Sequence, residues 1–217
     1  MLLSHKYKFL FVHIAKTGGT SVRASLNKLR WHDPMYYLTW PAHKVSGLAG
    51  HTLGLKFPRH AHIIAASEML PEEFFNSLFK FAFVRNPWDL QVSSFHHIKR
   101  ERPHAMNGIE DFNAFMRWKF DPHRPYQYHV DTSLSFQSDY LVDLHGNQLT
   151  DFVGRYENIQ NDFEFVCKKI GVNLALPHKR KATDRSKDYR SYYDAESVDL
   201  VANHFSKDIE MLSYSFE

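Results

Sequence analysis

The 217-residue chain has little of what marks several broad classes of protein. Its single cysteine, Cys167, excludes a disulfide framework and a zinc site built from cysteines alone. Nine glycines and nine prolines exclude collagen-like and low-complexity chains, and 43% hydrophobic with 24% charged residues is ordinary for a globular protein. The fifteen histidines are scattered, and pairs such as His96 and His97 have no further ligand at metal-binding spacing. We therefore predict no metal site.

Long hydrophobic runs are also missing, and no apolar stretch reaches the length of a membrane-spanning helix. The opening run MLLSHKYKFLFVHI is interrupted by His5, Lys6 and Lys8, and it lacks the basic, apolar and small-residue order of a signal peptide. Because the first predicted strand follows almost at once, we expect no anchor and a cytoplasmic protein. The length suits one domain over residues 1–217, without repeats or linkers, and nothing in the sequence indicates an oligomeric state.

Acidic residues are scarce in two parts of the chain. Residues 1–60 contain nine basic residues and one acid, Asp33, and residues 178–193 contain six basic residues and two acids. Two basic blocks in a chain of net charge +3 indicate a polyanionic ligand, with solvated surface lysines as the alternative. We expect no nucleic-acid partner, because the net charge is small and no basic repeat interleaved with aromatic residues is present.

Short apolar runs alternate with amphipathic stretches. The runs at residues 8–14, 79–84 and 152–155 predict three buried strands. Periodicity, caps and prolines predict helices over residues 20–30, 71–78, 87–98, 110–120, 135–142, 158–170 and 195–212. Residues 31–60 show no clear period and are predicted to be a long functional loop. The alternation predicts an α/β fold in which a parallel sheet is flanked by helices on both faces.

The strongest chemical motif joins the first predicted strand to the first helix, at residues 12–21 (VHIAKTGGTS). Glycines let backbone amides approach an anion, and a helix N-terminus adds partial positive charge. Lys16 adds a full charge, and Thr17, Thr20 and Ser21 add hydroxyl donors. The motif is not a Walker A loop, which places a glycine before its lysine. We interpret it as a phosphate or sulfate site, with a glycine turn and helix cap as the alternative.

A second motif, residues 83–89 (FVRNPWD), places Arg85 at the end of a predicted strand and Pro87 at the start of a helix. Open α/β sheets bind ligands at the carboxyl ends of their strands. The Arg85 guanidinium can grip a phosphate with two hydrogen bonds, and Ser93, eight residues on, can add a third. The alternative is an ion pair between Arg85 and Asp89.

Together these motifs resemble those of sulfotransferases that use 3′-phosphoadenosine 5′-phosphosulfate (PAPS). The most similar branch is the Golgi-type carbohydrate O-sulfotransferases and their soluble bacterial relatives. Residues 13–21 are similar to the 5′-phosphosulfate loop of that family, in which proline often replaces Ala15, and residues 79–89 with Ser93 are similar to its 3′-phosphate site. Residues 154–158 (GRYEN) and the stretch from Tyr189 to Tyr214 are similar to further parts of the family.

The resemblance implies a P-loop-like sulfotransferase fold and in-line transfer of a sulfuryl group from PAPS to an acceptor hydroxyl. Lys16 would stabilise the bridging oxygen as charge builds on the leaving phosphate. Arg85 and Ser93 would hold the 3′-phosphate. The 5′-phosphosulfate would be held by the loop residues Thr17, Gly18, Gly19, Thr20 and Ser21. This scheme needs no metal.

Two histidines are candidates for the base that accepts the acceptor proton. His60 stands 25 residues before Arg85, where the soluble members of the family carry a histidine. His51, in a Gly-His-Thr sequence, is similar to a Gly-His element of other branches. We favour His60, and the alternative is that neither histidine is catalytic.

The second basic block lies where the family closes a loop over the nucleotide, so Arg180, Lys181 or Arg185 is expected to reach the 3′-phosphate or the adenine. A surface patch for an anionic sugar chain is the alternative. The branch implies a carbohydrate acceptor, with a small metabolite or a lipid as alternatives. The aromatic side chains that could stack on a sugar, or that simply pack, are Trp31, Tyr36, Tyr37 and Trp40.

Two other functions compete with sulfuryl transfer. A P-loop kinase-like phosphoryl transferase would need a lysine after glycine and a strand-end Asp for magnesium, whereas the second strand ends at Arg85. A non-catalytic module on the same fold could bind polyanions, but Lys16 and the two candidate bases argue against that alternative.

Overall fold

The computed structural model describes residues 1–48, 57–177, 186 and 188–217. The chain forms two compact units. The first unit comprises Met1–Ile14, Gly18–Val84 and Asp139–Lys179, and the second comprises Ala15–Thr17, Arg85–Ser138 and Arg180–Glu217.

The described residues contain both strands and helices. The strands are β1 (Leu2–Ser4), β2 (Phe9–Val12), β3 (Phe79–Val84) and β4 (Phe152–Arg155). The α-helices are α1 (Gly19–Leu26), α2 (Pro34–Leu48), α3 (Ile64–Met69), α4 (Glu72–Asn76), α5 (Pro87–Glu101), α6 (Phe112–Phe120), α7 (Tyr128–Asp131), α8 (Ile159–Lys169), α9 (Ala195–His204) and α10 (Ser206–Leu212). Short 3₁₀ helices cover Asn27–His32, Pro103–Met106, Ser138–Tyr140, Tyr156–Asn158 and Tyr189–Tyr192.

The four strands form one sheet in the order β1-β2-β3-β4. β2 and β3 pair in parallel, with Phe9 opposite Phe79, and β3 pairs in parallel with β4, with Phe81 opposite Phe152. β1 was not predicted, and it adds an antiparallel edge beside β2. The three predicted strands are confirmed, and so is the α/β class with a mainly parallel sheet.

Alternating side chains of the central strands face opposite sides of the sheet. Phe9, Phe11, Phe81 and Phe83 belong to one buried cluster, together with Val22 and Leu26 of α1 and Phe163 and Val166 of α8. On the other side, the Lys80 ammonium lies 5.2 Å from the ring centroid of Phe75 in α4. Helices therefore cover both faces of the sheet, as predicted.

The second unit has a helical core. α5 and α6 pack through a buried cluster that includes Phe95, Ile98, Phe115 and Met116. Within this unit the Lys119 side chain of α6 is buried, and its Nζ donates to Gln91 Oε1 at 2.5 Å and to neighbouring serine hydroxyls. Among the residues that the structure describes, no helix has both the length and the apolar composition needed to cross a membrane.

The prediction of one long loop over residues 31–60 is wrong where the structure describes it, because residues 34–48 form α2. Asp33 precedes the helix, its Oδ1 accepts from the Met35 amide at 3.1 Å, and Pro34 occupies the first helical position. Pro41 lies inside the helix, and proline in a helix interior is ordinarily a breaker. The start signals at Asp33 and Pro34 are thus present, and the internal proline is the feature that favoured a loop.

Helix boundaries in the later part of the chain also differ from prediction. The helix predicted over residues 135–142 is only a 3₁₀ turn, Ser138–Tyr140, and the predicted helix over 195–212 is divided into α9 and α10 at Phe205. The short helices α3 and α7 were not predicted. Helices of four to six residues are too short to show a hydrophobic period.

Candidate active site

The motif at residues 12–21 forms the turn between β2 and α1. Gly18 is the N-cap of α1, with a φ of +79°, and its carbonyl accepts from the Ser21 amide at 2.9 Å. Thr20 and Ser21 lie inside the first turn of the helix. The first amides of a helix have no intrahelical acceptor, and α1 has no acidic side chain in its first turn to compete for them. This end of α1 is thus suited to an anion.

The two glycines of the motif are required by packing as well as by backbone shape. A Cβ on Gly18 would lie 2.5 Å from Ile159 Cδ1, and a Cβ on Gly19 would lie 2.3 Å from His13 Cδ2. Contacts this short do not occur in proteins, so any side chain at either position would displace its neighbour. The glycines therefore hold the turn against α8 and against the His13 ring.

The structure brings the two predicted motifs into direct contact within the second unit. Arg85 Nη1 donates to the Lys16 carbonyl at 3.0 Å. Arg85 Nε donates to Asp89 Oδ2 at 2.7 Å, so the ion pair considered as the alternative to phosphate binding is present. Lys16 has a φ of +67°, which is uncommon for a residue with a side chain. Arg85 is buried and held at a fixed position beside the Lys16 backbone.

Gln137 holds the main chain of Arg85, and sequence reasoning missed it. Its Oε1 accepts from the Arg85 amide at 2.9 Å, and its Nε2 donates to the Arg85 carbonyl at 2.7 Å. Gln137 is positioned in turn by the buried carboxylate of Asp208, which accepts from the amides of Gln137 and Ser138 at 2.8 and 2.9 Å. No local pattern around Gln137 distinguishes it, although Asp208 lies in the stretch that resembles the sulfotransferases.

Ser93 is half-buried in α5. Among the described residues, Ser93 forms no hydrogen bond with Arg85. That Ser93 and Arg85 bind the same phosphate stays a prediction. Thr17 is buried, whereas Thr20 is exposed.

His60 is held by the backbone of His13 in the first unit. His60 Nδ1 lies 2.9 Å from the His13 carbonyl, and the two rings meet edge to face with centroids 4.9 Å apart. Because a carbonyl only accepts hydrogen bonds, Nδ1 carries the proton and Nε2 carries the lone pair. Burial lowers the pKa of His60, and the charge of Arg59 lowers it further, against the opposing effect of the His13 carbonyl. The hydrogen bond at Nδ1 and the lowered pKa together favour a neutral imidazole whose Nε2 is the proton-accepting atom.

His13 itself is buried, and burial lowers its pKa to about 2, with further lowering from His60 and Arg23. Its Nδ1 has no hydrogen-bond partner among the described residues. Next to it lies a pocket of about 180 Å³ lined by His13, Thr20, Arg23, Ala24, Asn27 and Arg59. None of these six lining residues is acidic, and the pocket follows one face of α1 from Thr20, in the first turn, to Asn27, at the C-cap.

Several predicted residues lie outside the described part of the chain. They are the alternative base His51 and the three basic residues Arg180, Lys181 and Arg185. Among the residues that are described, no group of three or more His, Cys, Asp or Glu side chains is arranged to hold a metal ion.

Two comparisons with known proteins bear on the identity of the site. The family model described as "Sulfotransferase family" matches residues 1–215. A search of curated proteins gives no match.

Proposed function

Since this chain belongs to the sulfotransferase family, whose model covers residues 1–215, we propose that it moves a sulfuryl group from PAPS to a carbohydrate hydroxyl. The chain is an enzyme that transfers sulfate, as its family does. This membership favours sulfuryl transfer over kinase-like phosphoryl transfer and over a non-catalytic polyanion-binding module. One domain over residues 1–217 and a cytoplasmic location are further proposals, and the first is supported by the extent of the match.

The observation that carries the donor assignment is the hydrogen bond from Arg85 to the Lys16 carbonyl. It joins the loop proposed for the 5′-phosphosulfate to the arginine proposed for the 3′-phosphate. The loop offers the start of α1, the hydroxyls of Thr20 and Ser21, and the ammonium of Lys16. These are the fixed donors and positive charge that a departing phosphate needs.

In the proposed step, the bond between the sulfuryl sulfur and the bridging oxygen of the donor breaks as the acceptor oxygen bonds to sulfur. The electron pair of the broken bond stays on the 5′-phosphate of the leaving nucleotide, where Lys16 would neutralise the new charge. The proton of the acceptor hydroxyl passes to the base. His60 suits this role, because its hydrogen bond to His13 leaves Nε2 as the accepting atom and burial, by lowering its pKa, favours the unprotonated form. His51 remains the alternative base.

The basic pocket beside His13 supports a carbohydrate acceptor over an apolar one. Its lining combines the guanidinium groups of Arg23 and Arg59 with the polar side chains of Thr20 and Asn27. Such a lining offers hydrogen-bond donors to sugar hydroxyls. The pocket begins at Thr20, in the loop proposed for the donor sulfuryl group.

The donor is tested by thermal unfolding with 3′,5′-adenosine diphosphate, compared with ADP and with magnesium ATP. A ligand at about 100 times its dissociation constant adds roughly 2.7 kcal/mol to the free energy of unfolding, which gives a measurable rise in melting temperature. We expect preference for the 3′-phosphorylated nucleotide, loss of that preference in Arg85→Ala, and its retention in Arg100→Ala, which changes an exposed arginine of α5. A shift with magnesium ATP alone would contradict the proposal.

The base is tested by transfer of labelled sulfate from PAPS to a panel of neutral and acidic oligosaccharides. His60→Ala should abolish transfer and leave the melting shift with 3′,5′-adenosine diphosphate intact, because His60 is not proposed to touch the nucleotide. Full activity in this variant would exclude His60 as the base and direct attention to His51.

A further inference from the structure

α2 presents an unusual surface, because its exposed side is its apolar side. Of the twelve exposed large hydrophobic residues among those described, six lie between Trp31 and Leu48. Leu38, Val45 and Leu48 are 68%, 65% and 90% exposed. Their spacing of seven and three residues places them on one face of a helix. The name α2 face is used below for six exposed side chains of this helix, Tyr37, Leu38, Trp40, Lys44, Val45 and Leu48.

The charged residues next to the α2 face in the sequence are nearly all basic. No acidic residue occurs from residue 34 to residue 67, and Asp33 is buried, where its carboxylate accepts hydrogen bonds from Ser4 and from backbone amides. Exposed cations lie against the aromatic rings of this segment. The Arg30 guanidinium is 4.9 Å from the Trp31 ring centroid, and the Lys44 ammonium is 5.8 Å from that of Trp40.

Tryptophan and tyrosine with neighbouring lysine and arginine are the side chains that favour the boundary between water and lipid. The aromatic rings lie at headgroup depth, aliphatic side chains reach below them, and cations pair with anionic headgroups. α2 has 15 residues and is therefore about 22 Å long, too short to cross a hydrocarbon core of about 30 Å. A helix with these properties lies in the plane of a membrane surface.

We propose that the α2 face docks the enzyme on a membrane surface that contains anionic lipid. The positive charges of Arg30 and Lys44 favour an anionic lipid surface over a neutral apolar partner. Membrane docking would determine where the enzyme carries out the proposed sulfuryl transfer. It does not depend on the identity of the donor or of the acceptor.

The test is flotation of the full chain with vesicles of phosphatidylcholine alone and of phosphatidylcholine mixed with phosphatidylglycerol. We expect binding to the mixed vesicles, weakened by salt. The double variant Leu38→Glu, Val45→Glu should lose roughly tenfold or more of this binding, because apolar insertion is replaced by repulsion. Lys44→Glu should lose about fivefold. These substitutions are at exposed positions and should leave the fold intact. The melting temperature checks the fold, and its shift with 3′,5′-adenosine diphosphate checks the nucleotide site separately.

The matched control is Leu144→Glu, which alters a leucine that is 87% exposed in a turn far along the chain from α2. It should bind vesicles as the unmodified protein does. Equal binding by the double variant, or no binding to mixed vesicles, would overturn the proposal. A concentration-dependent dimer in sedimentation that Leu38→Glu dissociates, without vesicle binding, would show a second copy as the occupant and would also overturn it.

Discussion

At the scale of single residues, the ring of His60 is held by the His13 carbonyl while Arg59 disfavours its protonated form. Arg59→Gln removes a positive charge, so the pKa of His60 should rise. During acidification His60 would then become protonated at a higher pH than in the unmodified enzyme. We expect the acidic limb of the profile of kcat/KM against pH to move to higher pH, measured at low ionic strength because Arg59 is exposed.

Arg30→Gln is the matched control for this change. Arg30 is also exposed and near Arg23, but it does not appear among the charges that act on His60. Its profile should keep the acidic limb of the unmodified enzyme. If Arg59→Gln leaves the limb in place, His60 is not the group that the limb reports.

His13 makes the stability of the fold depend on pH. Its folded-state pKa of about 2 is far below the ordinary value of 6.5, so below that ordinary value the unfolded chain binds a proton that the folded chain does not. The free energy of unfolding should therefore fall as the pH is lowered, by about 2 kcal/mol from this residue between about pH 7.5 and about pH 5. Urea unfolding at the two pH values measures it.

His13→Gln should remove this part of the pH dependence, whereas His145→Gln, at an exposed position in a turn, should keep it. All three proteins have the same carboxylates. The difference in the pH dependence of their free energies of unfolding therefore gives the contribution of His13. An unchanged dependence in His13→Gln would mean that His13 is protonated in the folded state.

At the scale of elements, the turn before α1 depends on the contact of Gly19 with the His13 ring. Gly19→Ala places a methyl group 2.3 Å from His13 Cδ2 and should lower the free energy of unfolding by about 1–3 kcal/mol. The same substitution at Gly47 in α2, which has no heavy atom within 4 Å of the added carbon, should be neutral or stabilising by up to about 1 kcal/mol. Chemical denaturation compares the two variants, and equal effects would contradict the packing role of Gly19.

The elements also show which local signals were sufficient for prediction. β3 was predicted at its observed bounds, because a run of six residues rich in phenylalanine and valine is typical of a buried strand. α5 was predicted from Pro87, and Asn86 indeed caps it by accepting from the Trp88 amide at 3.0 Å. α2 was missed because Pro41 lies inside it, in a segment rich in proline, glycine and histidine that is typical of a loop.

At the scale of the whole molecule, the distribution of charge matters more than the net value of +3. Nine basic residues and one acid among residues 1–60 should attract a nucleotide that carries several negative charges. The Debye length falls from about 10 Å at 0.1 M salt to about 3 Å at 1 M salt. We expect the dissociation constant of 3′,5′-adenosine diphosphate, measured by calorimetry, to rise roughly tenfold over this range. The neutral ligand adenosine is the control, and an equal rise for both would refute an electrostatic origin.

Features that are encoded by neighbouring residues could be predicted without the structure. These are the α/β class, the three parallel strands, the Lys16 turn with its glycines, and Arg85 at a strand end, since each follows from runs, turns and caps within about ten residues. Contacts between groups that are distant in the sequence became visible in the folded chain alone. His60 bonds to a carbonyl 47 residues away, Arg85 to a glutamine 52 residues away, and that glutamine to a carboxylate 71 residues away. Such pairs leave no local pattern, because they form when the packing of the whole chain buries polar groups that must then find partners.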